Sequence, residues 1–90
     1  MRFLYFYLMR DVADRVRAVA PDPAAYWQDL ALREYAGGPF ADRSGGLITF
    51  DVASGEEAER LVAADPFLRE DLLERHWLKQ WMIERGEPRG

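Results

Sequence analysis

Arg2-Phe3-Leu4-Tyr5-Phe6-Tyr7-Leu8-Met9-Arg10, RFLYFYLMR, is apolar at every position between its two arginines. A strand wet on one face alternates apolar and polar residues. This one does not, so both of its faces are expected to be covered. The run is short and aromatic, and no small-residue cleavage site follows it. It therefore reads as a strand and not as a secretory leader, and a cytoplasmic location is expected.

Composition narrows the classes. Ninety residues make one small domain, and 49% apolar content is enough for a packed core. The expected domain covers residues 1–84, with a polar, loose tail at 85–90. There is no cysteine and one histidine, so thiol chemistry is excluded and a metal site is not expected. Twelve basic against sixteen acidic side chains give a net charge of −4. The arginines are scattered singly, without the basic stripe of a nucleic-acid binder. No stretch approaches the roughly 18 apolar residues of a membrane span.

The rest of the chain alternates helix and strand signals. Val12, Val16 and Val19 recur at helical spacing. Asp22-Pro23 reads as an N-cap with proline in the first turn, opening a helix to about Arg33. Tyr35 to Phe40 predicts a short strand, with Pro39 suiting a sheet edge. Leu47 to Val52 predicts a third strand. Ser54 and Glu57 form a capping box for a helix that stops at Asp65-Pro66. Phe67 to Leu73 predicts another helical turn, and Trp77 to Ile83 the last strand.

The order βαββαβ suits a four-stranded antiparallel sheet with helices on one face, an α+β fold. Such a sheet leaves Leu4, Phe6 and Leu8 without cover. Leaving them in water forgoes roughly 5–9 kcal/mol, at about 1.5–3 per side chain. The simplest cover is a second copy of the chain, and Trp77 and Trp81 suit the same face. A longer helix or the tail folded over the sheet is the alternative.

Three segments together resemble one family: GGPFADRSGGLITF (37–50), GEEAERLVAADPF (55–67) and a last strand with two tryptophans. They are similar to the YCII-related domain family over about Met1 to Glu84. The resemblance implies a ferredoxin-like fold whose sheets pair into a dimeric α+β barrel. It implies an enzyme without a cofactor, acting on a small molecule. In that family a histidine early in the first long helix pairs with the aspartate of an Asp-Pro-aromatic motif. The aspartate matches Asp65. The histidine has no match, and Pro23 or a close neighbour stands in its place.

Asp65 is thus the candidate acid–base residue. Its apolar neighbours and a helix C-terminus should raise its pKa toward a useful range. As an N-cap before Pro66 it also has a purely structural reading. His76, about ten residues on, is a possible replacement partner, although a solvated strand histidine is the simpler reading. The two glycine pairs precede a strand and lack the Gly-Lys-Ser/Thr of a phosphate loop, so they read as a strand reversal and a close backbone approach. Asp42, Arg43 and Ser44 project from that reversal, where Arg43 suits a substrate carboxylate or, more simply, pairs with Asp42. Phe40, Tyr26 and Trp27 are candidate pocket walls or plain core. Two functions compete: lyase- or hydrolase-like acid–base chemistry on a small organic molecule, and a non-catalytic dimeric ligand-binding module that kept the fold and lost the histidine. Shared architecture alone also admits a cofactor-free monooxygenase.

Overall fold

A computed structural model describes residues 1–84. The predicted tail at 85–90 lies outside the described residues. The elements are β1 (Arg2–Met9), α1 (Ala13–Val19), α2 (Pro21–Asp29), β2 (Arg33–Pro39), β3 (Gly45–Asp51), α3 (Gly55–Ala63), α4 (Pro66–Arg69) and β4 (Leu73–Gln80). The strands form one antiparallel sheet in the order β2-β3-β1-β4. This is the ferredoxin-like α+β arrangement. β1 is central, paired on both sides, which accounts for its unbroken apolar run.

Alternation along β1 sorts its side chains by face. Phe3, Tyr5 and Tyr7 lie under the helices and form the core with Trp27, Ile48, Phe50, Val62 and Phe67. Leu4, Phe6 and Leu8 face the other way and stay half-buried. The Phe6 ring stacks on its cross-strand partner Trp77 at 4.4 Å between centroids. Trp81 and Met82 follow β4 and are exposed. Among the described residues no helix packs on this second face, so a longer helix does not cover it.

Local signals set the helix ends. The Ser54 hydroxyl accepts from the Glu57 amide at 3.2 Å, and the Glu57 carboxylate accepts from Ala53 N–H at 3.2 Å. Pro66 holds Asp65 extended, ending α3 at Ala63. Several boundaries differ from expectation. α4 ends at Arg69 and not Leu73, and β4 ends at Gln80 and not Ile83, leaving Trp81 beyond the strand. α2 begins at Pro21, because Ala20 is already helical and α1 runs almost directly into it; Asp22 is a first-turn residue and not the cap. α2 ends at Asp29, and Arg33 belongs to β2. β4 starts at Leu73, four residues before Trp77, as an edge strand whose charged residues face solvent.

The glycine segment is the β2–β3 hairpin. None of its glycines has positive φ; the turn's left-handed residue is Arg43, φ 66°. The glycines are needed for space. A Cβ on Gly45 would lie 1.8 Å from the Tyr7 carbonyl oxygen of β1. One on Gly46 would lie 2.4 Å from the Tyr7 hydroxyl, and one on Gly37 would lie 3.1 Å from the Tyr35 hydroxyl. The strands thus carry no side chains where two phenols must lie.

Candidate functional site

Asp65 is the one buried charged side chain among the described residues, at 1% exposure. Its Oδ1 accepts from the amides of Phe67 and Leu68, 2.7 and 3.3 Å, capping α4. Its Oδ2 accepts from the indole Nε1 of Trp27 at 2.6 Å. That bond ties α2 to the α3–α4 junction. Burial pushes the Asp65 carboxyl up, and the bonds from Trp27, Leu68 and Phe67 and the charge of His76 act in the opposite sense.

All four tyrosines of the chain feel the charge of this carboxylate. Burial raises the Tyr5, Tyr7, Tyr26 and Tyr35 hydroxyls, with the negative charge of Asp65 adding to each; Tyr7 is pushed up to about 12. At neutral pH the phenols are therefore donors and not bases. Tyr26 donates to the Leu61 carbonyl at 2.6 Å, linking α2 to α3. The Tyr5 hydroxyl is sealed in the core with no hydrogen-bond partner. Tyr7 and Tyr35 remain, and both face a cavity.

That cavity, about 400 Å³, lies between the helices and the β2–β3 edge of the sheet. Apolar walls come from Met9, Val16, Ile48 and Phe67; its polar groups are Tyr7, Tyr35, Gln28 and Arg43. Pro23 is also in the wall. A larger depression of about 530 Å³ opens at the opposite end of the sheet, around Met1, Arg33, Asp51 and Glu57. Its polar groups are largely engaged already: Asp51 with Arg2, the Met1 ammonium with the Val52 carbonyl, Glu57 with Ala53. Volume therefore ranks below chemistry here, and the smaller cavity beside Asp65 is the candidate site.

The expected site residues divide. Of them only Arg43 lines the cavity. Pro23, at or next to the place of the family histidine, is in the wall without having been expected as a site residue. Asp65 stands behind its wall, in contact with Phe67 through the cap. Trp27 is fully buried core, and Tyr26 is partly buried beside it at 5.2 Å between ring centroids. Phe40 is half-buried at the hairpin and is not part of the cavity wall. Asp42 pairs with Ser44 and not with Arg43: the Ser44 hydroxyl and amide donate to it at 2.6 and 3.0 Å, holding its carboxyl below the usual range. His76 is exposed on β4, opposite Tyr7 in register, its ring edge-on to Tyr5 at 6.3 Å. Tyr7 and Tyr35 were not expected at the site. The signal for Tyr7 was present: two glycines on β3 at the register positions of Tyr7 and Leu8.

The profile of the YCII-related domain family matches residues 1–82. The chain belongs to the YCII-related domain family. Solved structures agree on the fold. This YCII-related chain is similar to the 5-chloro-2-hydroxyhydroquinone dehydrochlorinase TftG of Burkholderia phenoliruptrix AC1100, solved in complex with 2,5-dihydroxybenzoquinone. The TM-score is 0.78 at 24% identity, over 93% of this chain and 96% of that one. It is also similar to Rv0793 of Mycobacterium tuberculosis, with a TM-score of 0.59 at 14% identity, over 94% and 97% of the two chains. No curated protein sequence matches the chain. Among the described residues no helix is long and apolar enough to cross a membrane.

Proposed function

We propose that the protein is a small homodimeric enzyme that carries out lyase- or hydrolase-like proton transfer on a small organic molecule held in the cavity beside Asp65. The observation that carries this reading is the coincidence of three features. A buried carboxyl has its pKa raised. A cavity of about 400 Å³, within the size range of small-molecule sites, is lined by Phe67, whose amide donates to that carboxyl behind the wall. Pro23, at or next to the position where the family resemblance places a histidine, is in that cavity's wall. TftG, of the same fold, is a dehydrochlorinase solved with a six-membered-ring ligand, which is in keeping with a substrate of one ring. Asp65 holds the proton, and Tyr7 is the wall group coupled to it.

The dimer follows from the uncovered sheet face. Leu4, Phe6, Leu8 and Trp77 form an apolar surface that a second copy would seal, and sealing it recovers several kcal/mol at about 25 cal/mol per Å².

One experiment tests the activity. 5-Chloro-2-hydroxyhydroquinone and a panel of small phenols and carboxylic acids are incubated with wild type and Asp65→Asn. Acid–base catalysis is worth about 10²–10⁴-fold, so turnover should fall by at least about a hundredfold in the variant. Turnover unchanged in Asp65→Asn removes Asp65 from the chemistry. A second reading, the non-catalytic ligand-binding module, is favoured by the tight bonding of Asp65 to its own helix end and to Trp27. Saturable binding with no turnover of any panel member by the wild type would establish it instead.

A further inference from the structure

We infer that the cavity selects planar ring molecules bearing a carboxylate, with Arg43 and the hydroxyls of Tyr7 and Tyr35 as the recognising groups. The inference deepens the function proposed above and rests on it for the choice of cavity. The first support is charge. On a chain of net charge −4, the single ionic side chain lining this cavity is a guanidinium. Arg43 makes no ion pair among the described residues, a state it shares with Arg15, Arg33, Arg60, Arg69 and Arg75, but of these it alone lines the cavity. Its neighbour Asp42 is already engaged by Ser44. A planar guanidinium without a partner presents parallel N–H donors that match a carboxylate two-prong.

The second support is the donor set. Tyr7 and Tyr35 are raised phenols that stay protonated, so each offers an O–H. No carboxylate lines the cavity to compete for these donors. The walls therefore favour a ligand rich in acceptor oxygens. The third is shape. The rings of Tyr7 and Phe67, 6.0 Å apart between centroids, give the cavity an aromatic side, and Met9 and Val16 give it an aliphatic one. Such walls suit a flat ring. A Cβ on Gly46 would displace the Tyr7 hydroxyl, and one on Gly37 would meet Ile48 at 2.9 Å and crowd the Tyr35 hydroxyl at 3.1 Å, so the hairpin's glycines leave room for the phenols. Asp65, bonded to the Phe67 amide behind the wall, is negative when ionised, which puts the carboxylate at the Arg43 side and the ring against Phe67.

The test uses benzoate and its neutral analogue benzamide as probes, titrated into the full chain and followed by amide shifts and calorimetry. Benzoate should bind, move the amides of Tyr7, Gly45 and Phe67, and exceed benzamide in affinity. Arg43→Met should weaken benzoate by about tenfold or more, as expected for a hydrogen bond to a charged group, and Arg43→Lys should restore part of it. Tyr7→Phe and Tyr35→Phe should each weaken it several-fold. Arg43 is exposed, so its variants should keep the fold, which the amide spectrum reports directly. Equal affinity for benzamide, shifts at another surface, or unchanged binding in Arg43→Met overturns the inference. Because binding alone is read, the enzyme reading can fail while carboxylate selection stands, and the reverse.

Discussion

Replacing Asp65 by alanine should destabilise the fold strongly, for two separable reasons. The cap of α4 is lost, since Oδ1 no longer accepts from Phe67 and Leu68 at 2.7 and 3.3 Å. Losing such a cap costs about 0.5–2 kcal/mol. The Trp27 indole N–H is also orphaned in a residue that is 1% exposed, and an unsatisfied buried donor costs about 1–3 kcal/mol. Together these give roughly 1.5–5 kcal/mol, lowering Tm by at least about 6 °C for a domain of this size. Urea or thermal unfolding at one fixed protein concentration measures it. A cycle with Trp27→Phe should return a coupling of about 1 kcal/mol or more. The pH dependence has a definite sign. The folded pKa of Asp65 is raised, so its protonated form is favoured by folding. That contribution is complete below the ordinary aspartate value near 4 and is lost as pH rises through the folded value. The stability of the wild type relative to Asp65→Asn should therefore fall across that window. An alanine variant within about 0.5 kcal/mol of wild type, zero coupling to Trp27, or a wild type that gains on the Asn variant with rising pH would refute the account.

Two further outcomes follow from the sheet. Gly45→Ala would place a Cβ 1.8 Å from a backbone carbonyl of β1, where nothing flexible can yield; it should cost about 1–3 kcal/mol or more, read as a lower urea midpoint. Gly46→Ala meets the Tyr7 phenol at 2.4 Å and the Gly38 carbonyl oxygen at 2.9 Å, a milder clash with backbone, and should cost less stability than Gly45→Ala while weakening benzoate binding. The wild type should sediment at twice its 10.4 kDa chain mass, and Phe6→Asp, which puts a charge in the Phe6–Trp77 stack, should sediment as a single chain. A wild type that stays monomeric at micromolar concentration removes the dimer.

Legibility followed the reach of each signal. β1, β3 and the ends of α3 rest on residues a few positions apart, and the chain displays them: an unbroken apolar run, a β-branched run, Ser54 with Glu57, Asp65 with Pro66. The start of β4 was hidden because Glu74, Arg75 and His76 lie on an edge strand in water and read as loop. The end of α2 was hidden because the chain turns through left-handed Ala31 and Glu34, residue types that do not announce such a conformation. Asp65 and Arg43 stood out by neighbourhood and chemistry. Tyr7 and Tyr35 did not, since an aromatic residue in a strand reads as core unless the glycines opposite it are placed in register. The bond from Trp27 to Asp65 spans 38 positions, and nothing local forecasts it.

The arrangement around Asp65 couples ligand charge to proton binding. Asp65 is faced by Tyr5 and Tyr7 from β1, Tyr26 from α2 and Tyr35 from β2, and His76 on β4 contributes an opposing charge. An anion entering the cavity adds a like charge even from the Arg43 side, which disfavours the ionised carboxylate further. Linkage is reciprocal, so a carboxylate ligand should bind more tightly to the protein with Asp65 protonated. Benzoate affinity should then fall as pH rises through the folded Asp65 value, with proton uptake on binding seen as a buffer-dependent heat. A parallel titration of free benzoate removes the probe's own protonation from the slope. His76 contributes its charge to the same carboxyl, so His76→Gln is the control: the slope should survive in it and vanish in Asp65→Asn. A slope lost in His76→Gln and kept in Asp65→Asn would assign the proton to the exposed imidazole and leave the buried carboxyl a helix cap alone.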